Sequence, residues 1–130
     1  MSIRNVLVVD DSRTIAWILK DTLEAAGYDV RCVHDGDEAL KCLETYLPDA
    51  MILDTLMPRV SGFEVLGKIK ASPKTSMVPV IMLTASGRHD DVLASYRHGA
   101  DYYITKPFKQ SELLHGLDLV LGPKKQPSAA

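Results

Sequence analysis

Only two cysteines occur among the 130 residues of this chain, and Cys32 and Cys42 show neither CxxC nor zinc-ligand spacing. A pair so placed supports no disulfide framework and no thiolate metal site, so both read as reduced and structural. No apolar run approaches the ~20 residues that a bilayer span requires. The opening Met1-Ser2-Ile3-Arg4-Asn5 lacks the apolar stretch of a secretory signal and leads straight into a strand pattern. These absences imply the cytoplasm and no membrane partner. A basic excess is also missing. Fifteen Lys and Arg against seventeen Asp and Glu give a formal charge of -2, which offers no electrostatic ground for direct nucleic-acid binding. His34, His89, His98 and His115 share no metal-ligand spacing and read as surface residues. What the chain does have is an ordinary folded composition. It is 46% hydrophobic and 25% charged, enough apolar material for one domain with a real core.

Strand and helix patterns alternate along it. Val6-Leu7-Val8-Val9 is continuously apolar, as a strand buried on both faces is. Ser12 is placed to cap a helix. Its apolar stripe reads as Ile15, Ile18, Leu19, Leu23 and Ala26, interrupted by Thr22, and Gly27 stops it. Residues 29–33 alternate in the manner of an edge strand. Residues 36–46 carry Ala39, Leu40, Leu43 and Tyr46 at helical spacing before Pro48. A third strand ends at Asp54. A loop then runs through Met57 and Pro58 to Gly62, and Phe63, Val65, Leu66 and Ile69 mark a helix ending near Ser72-Pro73. Residues 78–83 read as the fourth strand, with Pro79 near its start, where a missing donor costs little. A fourth helix is expected over about residues 88–97 with Gly99 as its cap. A fifth strand is expected over 101–105, then a fifth helix bearing Leu113, Leu114, Leu117, Val120 and Leu121. The domain should occupy residues 1–121, and residues 122–130 read as a mobile tail.

Five such units imply an α/β fold: an open, doubly wound, five-stranded parallel sheet with helices on both faces. Ligands of such sheets bind beyond the carboxyl ends of the strands, where the strand order reverses. Asp10, Asp11, Asp54, Thr84 and Lys106 all fall at predicted strand carboxyl ends. Three carboxylates brought together raise one another's pKa unless a cation sits among them. The set therefore suits a hard divalent metal such as magnesium and a phosphoryl group. In it Asp54 would be the nucleophile, Lys106 a point positive charge and Thr84 a hydroxyl donor to phosphate oxygens. Each residue alone has a plainer reading. The aspartates could be turn formers, Thr84 a helix cap, Lys106 a solvated lysine and Tyr103 a packed aromatic. Their shared position at strand ends outweighs those readings.

Six segments occur in order over residues 3 to about 121: Val8-Val9-Asp10-Asp11-Ser12, Leu53-Asp54-Thr55-Leu56-Met57-Pro58, Gly62-Phe63-Glu64, Leu83-Thr84-Ala85, Gly99-Ala100-Asp101 and Lys106-Pro107-Phe108. Together they resemble the receiver domain of two-component response regulators, and are similar to single-domain chemotaxis-type regulators. The resemblance implies the flavodoxin-like strand order 2-1-3-4-5, for which a member of this family is a standard example. It implies that Asp54 is the phosphoacceptor and that Asp10, Asp11, Asp54 and the backbone carbonyl of Leu56 hold magnesium, or manganese in its place. It implies that Thr84 and Lys106 contact the phosphoryl group, that Thr84 and Tyr103 form a switch, and that the Lys106–Pro107 bond is cis.

The implied partners are a sensor histidine kinase or histidine phosphotransfer protein, and a downstream protein target or an effector domain beyond this chain. The output face would combine the fourth helix, the fifth strand and the fifth helix. Pairing of two phosphorylated copies through that face is a further implication. Such a switch catalyses only its own phosphorylation and dephosphorylation. Ser61 departs from the family pattern, standing where the loop often carries Asp. Leu56 and Ser86 occupy the positions that flank the path of an attacking water, which leaves the lifetime of the phosphoryl group open.

Trp17 falls off the apolar stripe of the first helix. It reads either as cover for a neighbouring loop or as an exposed anchor for docking a kinase or phosphotransfer partner. Other functions fit parts of the pattern. A magnesium-dependent phosphohydrolase of the haloacid dehalogenase type also forms an aspartyl phosphate. Asp10-Asp11-Ser12-Arg13-Thr14 resembles its motif, except that Ser12 replaces the acid/base Asp. A flavin-binding electron carrier would need a Ser-, Thr- and Gly-rich phosphate loop where this chain is acidic. A receiver that docks partners without being phosphorylated is the remaining alternative.

Overall fold

The three most apolar runs become the three inner strands of one parallel sheet. The computed structural model describes residues 4–57, 59–85, 92–93 and 96–122. Its elements are β1 (Asn5–Val9), α1 (Arg13–Ala25), β2 (Asp29–Val33), α2 (Gly36–Cys42), β3 (Ala50–Asp54), α3 (Gly62–Ala71), β4 (Val80–Thr84), β5 (Tyr102–Thr105) and α4 (Gln110–Leu121). The order across the sheet is β2-β1-β3-β4-β5, and every pairing is parallel. This is the doubly wound arrangement expected from the sequence. The helix expected over about residues 88–97 lies largely outside the described residues, although Val92, Leu93, Tyr96 and Arg97 are helical. The fifth helix of the sequence pattern is therefore α4 here. Residues 123–130 of the expected tail also lie outside the described residues.

Side chains of a strand alternate between the two faces of a sheet, and the burial follows that rule. Val6, Val8, Ile52, Ile81, Leu83 and Ile104 face α1 and α4, where they meet Leu19, Leu23, Leu113 and Leu117. Leu7, Val9, Met51, Leu53, Val80 and Met82 face the other way and meet Ala39, Val65, Leu66 and Ile69. The outer strands are less buried, as the alternating pattern of β2 predicts.

Three local expectations are corrected. The buried face of α1 is Ala16, Leu19, Thr22 and Leu23, and Ile18 is exposed. Ile18 stands two residues from Ala16, about 200° around the helix, so the two cannot share a face. The second helix ends at Cys42, and Tyr46 N instead donates to Cys42 O in the turn that follows. Strand β4 begins at Val80. Pro79 has no N–H to give to the ladder, but its carbonyl accepts Met51 N at 2.9 Å and aligns the chain.

The sheet order reverses between β1 and β3. Val9 pairs with Leu53, so the next residues along, Asp10 and Asp54, reach the same crevice. Thr84 pairs with Thr105 on β5, which brings Lys106 to that edge as well. The Lys106–Pro107 bond is cis. Gly62 opens α3 against the acidic strand: a Cβ there would lie 2.0 Å from the Asp54 carbonyl oxygen and 2.8 Å from Thr55 Cα. Only glycine permits so close a backbone approach, and Gly62 N donates to Thr55 O at 2.9 Å.

Candidate functional site

The carboxyl ends of β1 and β3 gather three carboxylates. Asp10 and Asp54 are buried and Asp11 is exposed, and each offers an oxygen within 4.8 Å of the others. The turn after β1 is fixed locally. Ser12 caps α1 by accepting Ile15 N at 3.2 Å, and Ser12 N donates to Asp10 Oδ1 at 2.9 Å. Lys106 approaches from beyond β5. Its Nζ lies 3.3 Å from Asp10 Oδ2 and 3.3 Å from Asp54 Oδ1. The contact to Asp54 is an aligned hydrogen bond. The contact to Asp10 is not, and the buried Oδ2 is left without one.

One ammonium cannot neutralise three carboxylates. Burial pushes the Asp54 carboxyl up, the Asp10 charge adds to this, and a hydrogen bond with Asp11 favours the same protonated form. Lys106 opposes the shift, and the balance lies at about 7. Asp54 thus holds its proton more tightly than an ordinary carboxyl does. An under-bonded buried oxygen and a hard, oxygen-only donor set fit a magnesium-sized divalent cation.

The other expected residues are placed as follows. Thr84 is buried at the end of β4, and its carbonyl accepts Lys106 N at 2.6 Å. That bond fastens the backbone of the lysine beside the threonine. Tyr103 sits on β5 opposite Met82. It is half-buried against the core of α2 and α3, with its hydroxyl oxygen shielded from solvent. Leu56, two residues after Asp54, is 72% exposed. Ser86 lies outside the described residues. Trp17 is 66% exposed and belongs to neither apolar core. Ser61, which departs from Asp, caps α3 in a reciprocal box with Glu64.

Sequence reasoning missed two supports of this site. His34, read as a surface residue, is half-buried, and its Nδ1 lies 3.1 Å from the Asp10 carbonyl oxygen. Arg59, in the loop after Asp54, adopts a positive φ of 67° and pairs with Asp35 at 3.1 Å. Asp35 in turn caps α2 through Glu38 N at 2.7 Å. The signal for His34 was available only through topology, because it is the parallel β1–β2 pairing that places the residue after Val33 beside Asp10.

Comparison with known proteins agrees with this geometry. The family model for the response regulator receiver domain matches residues 6–118. The chain is 41% identical over 110 residues to the alkaline phosphatase synthesis transcriptional regulatory protein PhoP of Bacillus subtilis, covering 85% of this chain and 45% of that one. It spans about half the length of the curated relatives it matches. Among solved structures, the chemotaxis protein CheY4 of Vibrio cholerae superposes with a TM-score of 0.88 at 33% identity, covering 92% of this chain and 100% of that one. The receiver domain of a sensor histidine kinase of Pseudomonas aeruginosa, solved with a magnesium ion in its active site cleft, gives 0.86 at 30% identity, covering 93% and 99%.

Proposed function

Because this chain belongs to the family of response regulator receiver domains, we propose that it is a phosphorylation-controlled signalling switch whose Asp54 accepts a phosphoryl group from a histidine side chain. The observation that carries this is the convergence of Asp10, Asp11 and Asp54 at one sheet edge, with Lys106 held 3.3 Å from two of them.

An Asp54 carboxylate oxygen forms the new bond to phosphorus as the P–N bond to the donor imidazole breaks. The electron pair stays on the imidazole nitrogen, and the product is an acyl phosphate. Asp10, Asp11, Asp54 and the backbone carbonyl of Leu56 would hold magnesium, or manganese in its place. When bound, the ion supplies positive charge that favours ionised Asp54 and offsets charge on the phosphoryl oxygens. Lys106 offers its ammonium to one of those oxygens and Thr84 its hydroxyl to another. The added charge draws on Thr84 at the end of β4, and Tyr103 on the adjacent β5 responds. Together they bias the face formed by the segment before β5, by β5 and by α4.

The donor in this account is a sensor histidine kinase or phosphotransfer protein. The output is a downstream protein target, or an effector domain such as the longer relatives have room for. Residues 1–121 act as the receiver unit and residues 122–130 as a tail. Among the described residues no helix is long and apolar enough to cross a membrane, and the proposed compartment is the cytoplasm. The protein acts as catalyst only on itself. The phosphohydrolase alternative needs an acid/base at position 12, but Ser12 there is engaged as the cap of α1.

Incubation with magnesium and acetyl phosphate, followed by intact-protein mass measurement, tests this function. One labile phosphoryl adduct, absent from Asp54→Asn, is expected. An equal adduct on the variant overturns it.

A further inference from the structure

The Asp10 peptide is held on every side but one. Its N–H donates to Val33 O at 3.2 Å. Its Oδ1 accepts Ser12 N at 2.9 Å. Its carbonyl oxygen meets His34 Nδ1 at 3.1 Å. A carbonyl only accepts, so a hydrogen bond here requires the tautomer with the hydrogen on Nδ1. The group left over is Oδ2, which is buried, lacks an aligned hydrogen bond and faces the cluster. The carbonyl that His34 holds belongs to the peptide joining Asp10 to Asp11, so its tilt sets where the Asp11 carboxylate begins.

His34 is itself braced. Its N–H donates to Glu38 Oε1 at 2.8 Å. The neighbouring Asp35 caps α2 and is gripped by Arg59 from the loop after Asp54. The β2–α2 turn therefore ties both acidic segments of the site to one short helix, and His34 is its arm toward β1.

We propose that His34 is a positioning residue for the acidic cluster: by fixing the Asp10–Asp11 peptide it sets the carboxylate spacing on which divalent-cation affinity depends. The inference rests on the reading of that cluster as a magnesium site. Groups that orient ligands from behind are worth about 10–100-fold in metal affinity when they act directly. Acting through one backbone carbonyl, His34 should sit at the low end. Asparagine carries an amide nitrogen where the histidine ring has Nδ1, and leucine carries none.

Magnesium titration by calorimetry on the full chain, as wild type, His34→Asn and His34→Leu, is the test. Urea midpoints establish that each variant is folded. His34→Leu should bind magnesium about 10-fold more weakly, and His34→Asn should recover the wild-type affinity. A long-range nitrogen–proton spectrum of the wild type in mildly alkaline buffer should show the neutral ring protonated at Nδ1. Equal affinity in wild type and a folded His34→Leu overturns the proposal, as does a ring protonated at Nε2. If His34→Leu does not fold, a weakened His34→Asn overturns it. Failure of the wild type to bind magnesium is a separate result and refutes the metal reading beneath it.

Discussion

The Lys106 ammonium lies 3.3 Å from the Asp54 carboxylate although their strands are not neighbours. Asp54 ends β3, Lys106 follows β5, and β4 runs between them. The lysine spans that gap because its backbone N–H is bonded to Thr84 at the end of β4. The relationship is also electrostatic, since Lys106 is the cation that holds the Asp54 carboxyl down against burial and the Asp10 charge.

Lys106→Ala should therefore raise the Asp54 pKa further in metal-free protein. Carbon-detected NMR of the Asp54 carboxyl across a pH series reads this. Phosphorylation by acetyl phosphate should slow by roughly 100-fold or more, the scale for removing one charge stabiliser from a transition state. An unchanged titration and an unchanged rate would dismiss the lysine as a bystander.

Asp54 also predicts how stability depends on pH. Its carboxyl lies at about 7 in the fold against 3.8 for the free group. Between those values the folded chain keeps a proton that the unfolded chain has released. Folding is therefore favoured at low pH and loses stability as pH rises toward about 7. In a chelating buffer, urea midpoints of the wild type should fall across this window, and those of Asp54→Asn should fall much less. Parallel curves for the two proteins would contradict the shifted pKa.

Two glycines of α3 should respond in opposite ways to alanine. At Gly62 a Cβ meets the Asp54 carbonyl oxygen at 2.0 Å, and at Gly67 it meets nothing within 4 Å. Gly62→Ala should destabilise by about 2–3 kcal/mol or more, because backbone must move. Gly67→Ala should stabilise by about 0.5–1 kcal/mol through helix propensity. Chemical denaturation of both variants checks the contrast, and similar midpoints would deny the close packing of α3 on β3.

Trp17 separates docking from chemistry. Its exposure and its absence from both cores mean that Trp17→Ala should shift stability by no more than about 0.5 kcal/mol. Phosphorylation by acetyl phosphate should be unchanged, while transfer from a histidine-phosphorylated protein donor slows. Equal transfer rates would remove Trp17 from the docking surface.

Much of the site was legible in the sequence because parallel sheets place ligands at strand carboxyl ends. Once Val6-Leu7-Val8-Val9, Ala50-Met51-Ile52-Leu53 and the Tyr103-Ile104-Thr105 run were recognised as strands, Asp10, Asp54 and Lys106 had to share an edge. The buried face of α1 was harder to see. Ala16 and Thr22 are small or weakly polar and look neutral, while Ile18 looks like core, yet the 100° step per residue puts Ile18 in solvent. His34 was invisible for a different reason. Nothing within the β2 segment says that the residue after it meets Asp10, and the contact exists only because β1 and β2 pair in parallel. The same holds for Arg59 and Asp35, which are separated in sequence and joined by the packing of α2 against α3.

In the proposed function Asp54, and no other carboxylate of the cluster, carries the phosphoryl group. The most direct measurement is to phosphorylate the protein with acetyl phosphate and magnesium, reduce the acyl phosphate with borohydride, and map the altered aspartate by peptide mass spectrometry. Reduction is expected at Asp54 alone, and none when magnesium is chelated. Reduction at Asp10, the first acid of the phosphohydrolase-like motif, or at Asp11, would contradict it.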